Sequence, residues 1–376
     1  CSSDLEEFMK KRFLGVLLSV AMVAAVLAGC GSSGAKETAA PAGSETEAAS
    51  EAASGETEAA GNTGDVITVG FSQVGAESDW RTANSESMKS TFSTENGYNL
   101  IFDDAQQKQE NQIAAIRNFI QQEVDYIVLA PVTESGWDTV LQEAKDAEIP
   151  VIIVDRMVNV SDDSLYTAWV GSNFKLEGQK ACEWLKQYAA AKNMSEVNIV
   201  DIQGTIGASA QIGRTEALNE AVEANGWNLL AQQTGEFTQA KGQEVMESML
   251  KQYDNINVVY CENDNEAFGA IEAIKAAGKT VGPDGDILVM SFDTTKQGIT
   301  DTLSGDIIVN TECNPLHGPR VEQIIKQLQA GETPEKQAYV EEGIYAHGSD
   351  VASVSIDGTD YEVTEVTQDV VDARAY

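Results

Sequence analysis

Short β-branched runs alternate along the chain with longer stretches whose apolar residues recur every three or four positions. Runs at 67–71, 100–103, 126–129, 151–154 and 165–170 read as strands. Stretches at 80–95, 111–122 and 139–147 read as helices between them, and Ile113, Ile116, Phe119 and Ile120 mark the apolar face of the second. A longer helix, 173–190, closes this series. A second series follows, with strands predicted at 197–202, 228–233, 257–261, 287–292 and 307–311. Its helices are predicted at 212–224, 239–251, 266–277, 298–303 and 316–330. Gly278 is the expected stop of the third of these. Alternation of this kind builds parallel sheets with helices on both faces. Two series imply an α/β protein of two doubly wound lobes. From Gly343 onward the pattern supports no assignment.

The N-terminal stretch follows a different rule. Lys10, Lys11 and Arg12 precede an apolar run, 13–27, that ends in Leu27-Ala28-Gly29-Cys30. A charged start followed by an apolar segment reads as an export signal. Small residues before a cysteine resemble the bacterial lipoprotein signal, which makes Cys30 the expected lipidation site. Met9 is the expected start, and residues 1–8 an extension of the reading frame. The apolar run is short for a membrane span. Residues 30–65 are almost wholly Ala, Gly, Ser, Thr and Glu, so they cannot bury enough surface to offset chain entropy. They read as a flexible acidic tether.

The remaining stretch, about 310 residues, is long for one core and suits two lobes. The net charge of −36 speaks against nucleic acid and against anionic lipid surfaces, both of which need a basic footprint. Cys182, Cys261 and Cys313 are odd in number and widely spaced, so they form neither a metal pattern nor a disulfide framework. Buried, unreactive thiols are expected.

Open parallel sheets bind ligands at the carboxyl ends of their strands, so the residues just after each strand carry the chemistry. After the first strand come Glu77, Ser78, Asp79, Trp80 and Arg81. After the fourth comes Asp155-Arg156. In the second series Gln203-Gly204-Thr205 precedes Arg214, and later strands lead to Glu262-Asn263-Asp264, Asp293 and Glu312. Asp or Asn at such a place is also an ordinary helix N-cap, and Asp155-Arg156 could be a structural ion pair. The recurrence in both series is what a polyol needs. Each hydroxyl is one donor and two acceptor sites, and carboxylates and guanidinium groups bridge adjacent hydroxyls. Trp80 offers a flat apolar face. Trp137, Trp169, Trp184 and Trp227 read as core.

These residues, with the runs at 69–75, 106–112, 130–132, 143–150 and 203–209, resemble the type I periplasmic sugar-binding proteins. Within that family they are most similar to the galactofuranose-binding group of ABC importers. The resemblance covers about 66–340. It implies a monosaccharide held between two lobes that cross several times, with hinge strands near Val170, Thr311 and Glu342. One lobe would comprise 66–170 and 313–342, the other 171–312 and 343–376. Glu77, Asp79, Trp80, Arg81, Asp155 and Arg156 would grip the sugar from the first lobe. Arg214, Asn263 and Asp293 would do so from the second, with Glu312 near the hinge. The resemblance further implies an extracytoplasmic, membrane-anchored monomer that serves an ABC permease, without cofactor, metal or catalytic residue. A sugar sensor acting on a chemoreceptor or kinase is the alternative role.

Other classes fit less well. Gly278-Lys279-Thr280 ends a predicted helix instead of starting one, so it cannot cradle phosphate. Gly207-Ala208-Ser209 lacks the second glycine of a nucleophile elbow. The only histidines, His317 and His347, supply histidine-based triads and zinc sites poorly. Acids beside arginines are expected to be poor proton donors for a glycosidase. A repressor would need a basic helix-turn-helix segment in front of the lobes.

Overall fold

A computed structural model describes residues 66–376. The expected export signal, the expected lipidation site Cys30 and the expected acidic tether lie outside the described residues.

The first lobe carries β1 (Ile67–Gln73), α1 (Asp79–Thr91), β2 (Tyr98–Asp104), α2 (Gln109–Gln121), β3 (Tyr126–Leu129), α3 (Asp138–Asp146), β4 (Val151–Val154) and β5 (Ala168–Gly171). The chain then crosses to the second lobe. There it forms α4 (Phe174–Ala191), β6 (Asn198–Gln203), α5 (Ser209–Asn225), β7 (Asn228–Thr234), α6 (Gln239–Gln252) and β8 (Val258–Cys261). Next come α7 (Asp264–Ala276), β9 (Leu288–Asp293), α8 (Lys296–Ser304) and β10 (Val309–Glu312). It returns to the first lobe for α9 (Gly318–Gln329) and β11 (Gln337–Tyr339). A third crossing leads to β12 (Ile344–Ala346), β13 (Ser353–Ile356), β14 (Thr359–Glu365) and α10 (Gln368–Ala373).

The first sheet has the order β11-β5-β4-β3-β1-β2, and the second β13-β14-β12-β10-β9-β8-β6-β7. Every pair in the first sheet is parallel. Both faces of its central strands β3 and β4 are covered, so their runs are continuously apolar instead of alternating. Val69, Phe71, Val128 and Ile152 pack on one face against Met88 and Phe92 of the α1 segment and Val321 and Ile325 of α9. Ile127, Leu129 and Ile153 pack on the other against Ile116, Phe119, Trp137 and Leu141. The second sheet repeats this, with Ile199, Val258, Tyr260 and Phe292 facing Trp184 and Leu185. Val200, Ile202, Val259 and Val289 face Met246, Met249 and Ile271. Each large apolar side chain removed from water contributes about 1.5–3 kcal/mol.

The predicted bounds of β3 and β4 coincide with the observed ones. Two others differ for local reasons. The helix predicted to reach 95 stops at Thr91; Thr94–Asn96 forms a separate tight turn that ends at Gly97, whose φ of 87° suits glycine. The strand predicted from 165 starts at Ala168, because Asp162 caps a turn at Asp163–Leu165 by accepting from the Ser164 N–H. The unassigned tail adds three strands to the second sheet. β12 lies antiparallel to β10, and β13 and β14 form a hairpin around Asp357-Gly358. Both turn residues have positive φ, 50° and 81°, as a two-residue hairpin turn requires.

Candidate functional site

β1, β4, β8 and β9 all end at the junction of the lobes, and α1, α4, α5 and α7 begin there. Their meeting point is a cavity lined by Glu77, Trp80, Arg81, Asp155, Arg156, Arg214, Asn263 and Asp293. The free space within it is about 20 Å³, room for about one water, so a larger guest enters only when the walls part. Hydrogen bonds between the lobes close its mouth. The Glu134 N–H donates to the Gly207 carbonyl at 2.9 Å, and the Met157 N–H to Ser209 Oγ at 2.9 Å.

In the first wall, Arg81 donates through Nε to Glu77 Oε1 at 3.0 Å, through Nη1 to Gln73 Oε1 at 3.2 Å and through Nη2 to Asp155 Oδ2 at 2.8 Å. Arg156 is less satisfied. Its Nη1 donates to the Val132 carbonyl at 3.0 Å, but Glu77 and Asp155 lie only at 3.8 and 4.0 Å. Burial, then the neighbouring Arg81, pull its pKa down to about 10, so it stays cationic at neutral pH with donors free. Glu77 Oε2 is buried with no donor, an arrangement that costs about 1–3 kcal/mol and that a hydroxyl would relieve. Trp80 Nε1 donates to the Cys313 carbonyl at 2.6 Å, which leaves the ring face for the cavity.

In the second wall, Arg214 donates through Nε to Glu177 Oε2 at 2.8 Å and through Nη1 to the Glu262 carbonyl, and Nη2 sits 3.7 Å from Asp293 Oδ1. Burial opposes its charge, but the Glu177 carboxylate bound to it more than restores that charge and holds its pKa well above the usual value. Asn263 serves two ends: Oδ1 caps α7 by accepting from the Glu266 N–H at 2.8 Å, and Nδ2 donates to the Phe237 carbonyl at 3.1 Å. Asp155 and Asp293 sit at positive φ, 64° and 100°. Such backbone costs about 1–3 kcal/mol and concentrates at ligand sites. Burial pushes the Asp293 carboxyl well up, and Arg214 only partly offsets it. The expectation that every acid beside an arginine is a poor proton donor therefore fails for Asp293, because complete burial outweighs a cation at 3.7 Å. The cavity thus brings together three guanidinium and three carboxyl groups. Neither charge dominates, so the arrangement suits a neutral polyol better than an anion or a cation.

Two predicted residues lie elsewhere. The Asp79 side chain is exposed and does not line the cavity; its backbone N–H instead donates to Asn265 Oδ1 at 3.0 Å across the lobes. As the first residue of α1, its Cβ turns outward while Trp80 and Arg81 turn in. Glu312 also lies outside the cavity. Its Oε1 accepts from Arg374 Nη1 at 2.7 Å and Tyr376 OH at 2.8 Å, and its Oε2 from the Gly343 N–H at 3.0 Å. Burial would raise its pKa, but these donors hold it below the usual range.

Phe174 and Phe237 line the cavity without having been expected there. Phe237 stacks under Arg156, 5.0 Å from the guanidinium carbon to the ring centre. It follows β7 by three residues, so the same strand-end rule pointed to it. Gly204 makes room for it: a Cβ there would lie 1.9 Å from the Phe237 ring.

A two-lobed α/β fold with three crossings and a polar cavity between the lobes is that of a periplasmic binding protein. Residues 69–311 match the family model described as periplasmic binding protein domain, and the chain belongs to that family. It is 42% identical over 284 residues to the galactofuranose-binding protein YtfQ of Escherichia coli strain K12, covering 74% of this chain and 87% of that protein. A crystal structure from Mycobacterium smegmatis in complex with β-D-fucofuranose is 43% identical with a TM-score of 0.72, covering 74% of this chain and 91% of that one. The periplasmic binding component of the arabinose ABC transporter of Shewanella sp. ANA-3, bound to α- and β-L-arabinofuranose, is 42% identical with a TM-score of 0.70, covering 74% and 92%.

Proposed function

We propose that this chain captures a monosaccharide in its furanose form between the two lobes and delivers it to an ABC importer. The observation that carries the reading is the small, charge-balanced cavity between lobes, walled by Arg81, Arg156 and Arg214, by Glu77, Asp155 and Asp293, and by aromatic rings. Guanidinium and carboxyl groups on both walls bridge adjacent hydroxyls only when the lobes are shut, so ligand shifts the population toward the closed form. The furanose ring is favoured because the relatives of about 40% identity carry galactofuranose, fucofuranose or arabinofuranose in their descriptions. Glu77, Trp80, Arg81, Asp155, Arg156, Arg214, Asn263 and Asp293 are the proposed sugar contacts. The protein is held outside the cytoplasm by a lipid on Cys30, at the end of residues 30–65, and works as a monomer.

A thermal-shift screen of ligand-free protein against aldoses, and against their methyl furanosides and pyranosides, tests this. A rise in melting temperature with an aldose, matched by a furanoside and not by the pyranoside, is expected. No shift with any monosaccharide would overturn the reading. For the anchor, Cys30→Ala should release the protein from the membrane fraction into the soluble one.

A further inference from the structure

Behind Arg214 a largely buried cluster, which reaches the cavity through Cys313, joins all three crossing segments. Glu177, in the first turn of α4, holds Arg214 Nε and Nη2 on its Oε2, both at 2.8 Å. Its Oε1 is buried and has no donor. One side-chain atom each of Glu177, Cys313 and Glu342 lies within 4.8 Å of the others. Glu342 Oε1 accepts from Ser172 Oγ and from the Asn314 N–H, both at 2.7 Å, and Ser172 Oγ lies 3.3 Å from Cys313 Sγ. Ser172 follows β5, Cys313 and Asn314 follow β10, and Glu342 precedes β12, so each crossing contributes to the cluster.

Two carboxyl groups this close, Glu177 buried and Glu342 half-buried, cannot both ionise cheaply when one guanidinium faces them. A single shared proton supplies the missing donor for Glu177 Oε1 and leaves one negative charge to match Arg214. Burial pushes both groups above the ordinary range, and Glu177 pushes Glu342 further. The other charged or titratable groups facing the pair are Lys180, Cys313, Glu312 and, from the end of β9, Asp293. Lys180 Nζ donates to the Glu342 main-chain carbonyl at 2.8 Å and not to its carboxyl. Glu312 is already occupied by Arg374, and burial keeps the Cys313 thiol protonated. A metal ion fits less well, since only three ligand atoms are offered and Glu342 Oε1 already has two donors.

We propose that Glu342 is a positioning residue for ligand capture: a proton shared between Glu177 and Glu342 fixes Arg214 in the cavity wall and ties the three crossings together, so that closure takes up a proton. The inference rests on the reading of the cavity as a sugar site shut by lobe movement. When the lobes part, the crossings move and the two carboxyls regain water, so each loses affinity for the proton. Binding therefore weakens as pH rises above the ordinary carboxylate range, by up to about tenfold per pH unit where one whole proton is taken up.

The test is calorimetry on the full chain with D-galactose and L-arabinose, from mildly acidic to alkaline pH, in buffers of different ionisation enthalpy. Wild-type protein is expected to take up protons on binding and to weaken as pH rises. Glu342→Gln places an amide N–H where the shared proton sits, so it should bind at neutral pH with a flatter pH profile and less proton uptake. Glu342→Ala should bind roughly tenfold or more weakly throughout. Burial raises the proton affinity of Asp293 as well, so only the difference between wild type and Glu342→Gln belongs to the pair. Identical proton uptake in those two proteins overturns the inference, as does absence of uptake in the wild type, which needs no variant to fold. Absence of any sugar binding by the wild type sinks the underlying reading instead.

Discussion

In the first wall of the cavity, two guanidiniums, Arg81 and Arg156, face two carboxylates, Glu77 and Asp155, within 2.8–4.0 Å. In the second, Arg214 stands alone among buried Glu177, Asp201, Glu262, Glu266 and Asp293. The first wall balances its charge by pairing. The second has too few cations for that, and burial pushes its carboxyls toward the protonated form, Asp201 to about 7 and Glu262 and Glu266 well above their usual range. Those carboxyls still hold the binding loops. Glu262 accepts from the Gly204 N–H at 2.8 Å, and Glu266 from the Phe237 N–H at 2.8 Å. One wall is thus an ion-pair network and the other a set of hydrogen-bonded acids, so pH acts mainly on the second.

The strongest way to break this contrast is to remove one guanidinium from each wall. Arg214→Ala leaves Glu177 without its cation and should cost about 3–5 kcal/mol of stability by urea unfolding. Arg156→Ala leaves Arg81 holding both Glu77 and Asp155, so stability should change little, while sugar affinity by calorimetry falls by about 2–4 kcal/mol. Equal stability losses in the two variants would erase the distinction between the walls.

The first lobe has one pH-sensitive element of its own. His317 is fully buried behind Trp80, and its Nδ1 accepts from Asn84 Nδ2 at 2.9 Å, a bond the imidazolium could not keep. Burial lowers its pKa to about 4. The unfolded chain binds that proton near pH ~6.5, so between those values it holds more protons than the folded chain. Stability is therefore lost as pH falls through this window, by up to about 3 kcal/mol. Unfolding followed against pH should show the loss in wild type and a reduced loss in His317→Gln; parallel curves would place the proton elsewhere. The smallest effect is expected from Asp79→Ala. Its side chain is exposed, so stability and sugar affinity should stay within about 0.5 kcal/mol, and a larger loss of affinity would return the carboxylate to the site.

Much of the site was legible because the strand-end rule needs only strand positions. Trp80, Arg81, Asp155, Arg156, Asn263 and Asp293 follow from it, and Arg214 from its place early in the helix after β6. Phe237 also follows a strand end, but its ring carries no hydrogen-bonding group that would single it out in the sequence. The C-terminal hairpin carried a signal too, Asp357-Gly358 between alternating runs. What the one-dimensional pattern could not supply was direction: Asp79 and Trp80 are adjacent, yet one faces solvent and the other the cavity.

The order of apolar runs by itself determined the parallel strands of two sheets, their helices and the strand ends at which ligand chemistry is expected, because periodicity and crossover handedness are local rules. Only the tertiary structure decided which charges meet. Ser172, Cys313 and Glu342 are far apart along the chain and converge only where three crossings pass side by side. Whether a carboxyl there is ionised depends on the water and cations that folding removes or brings near, and no run of residues encodes that alone.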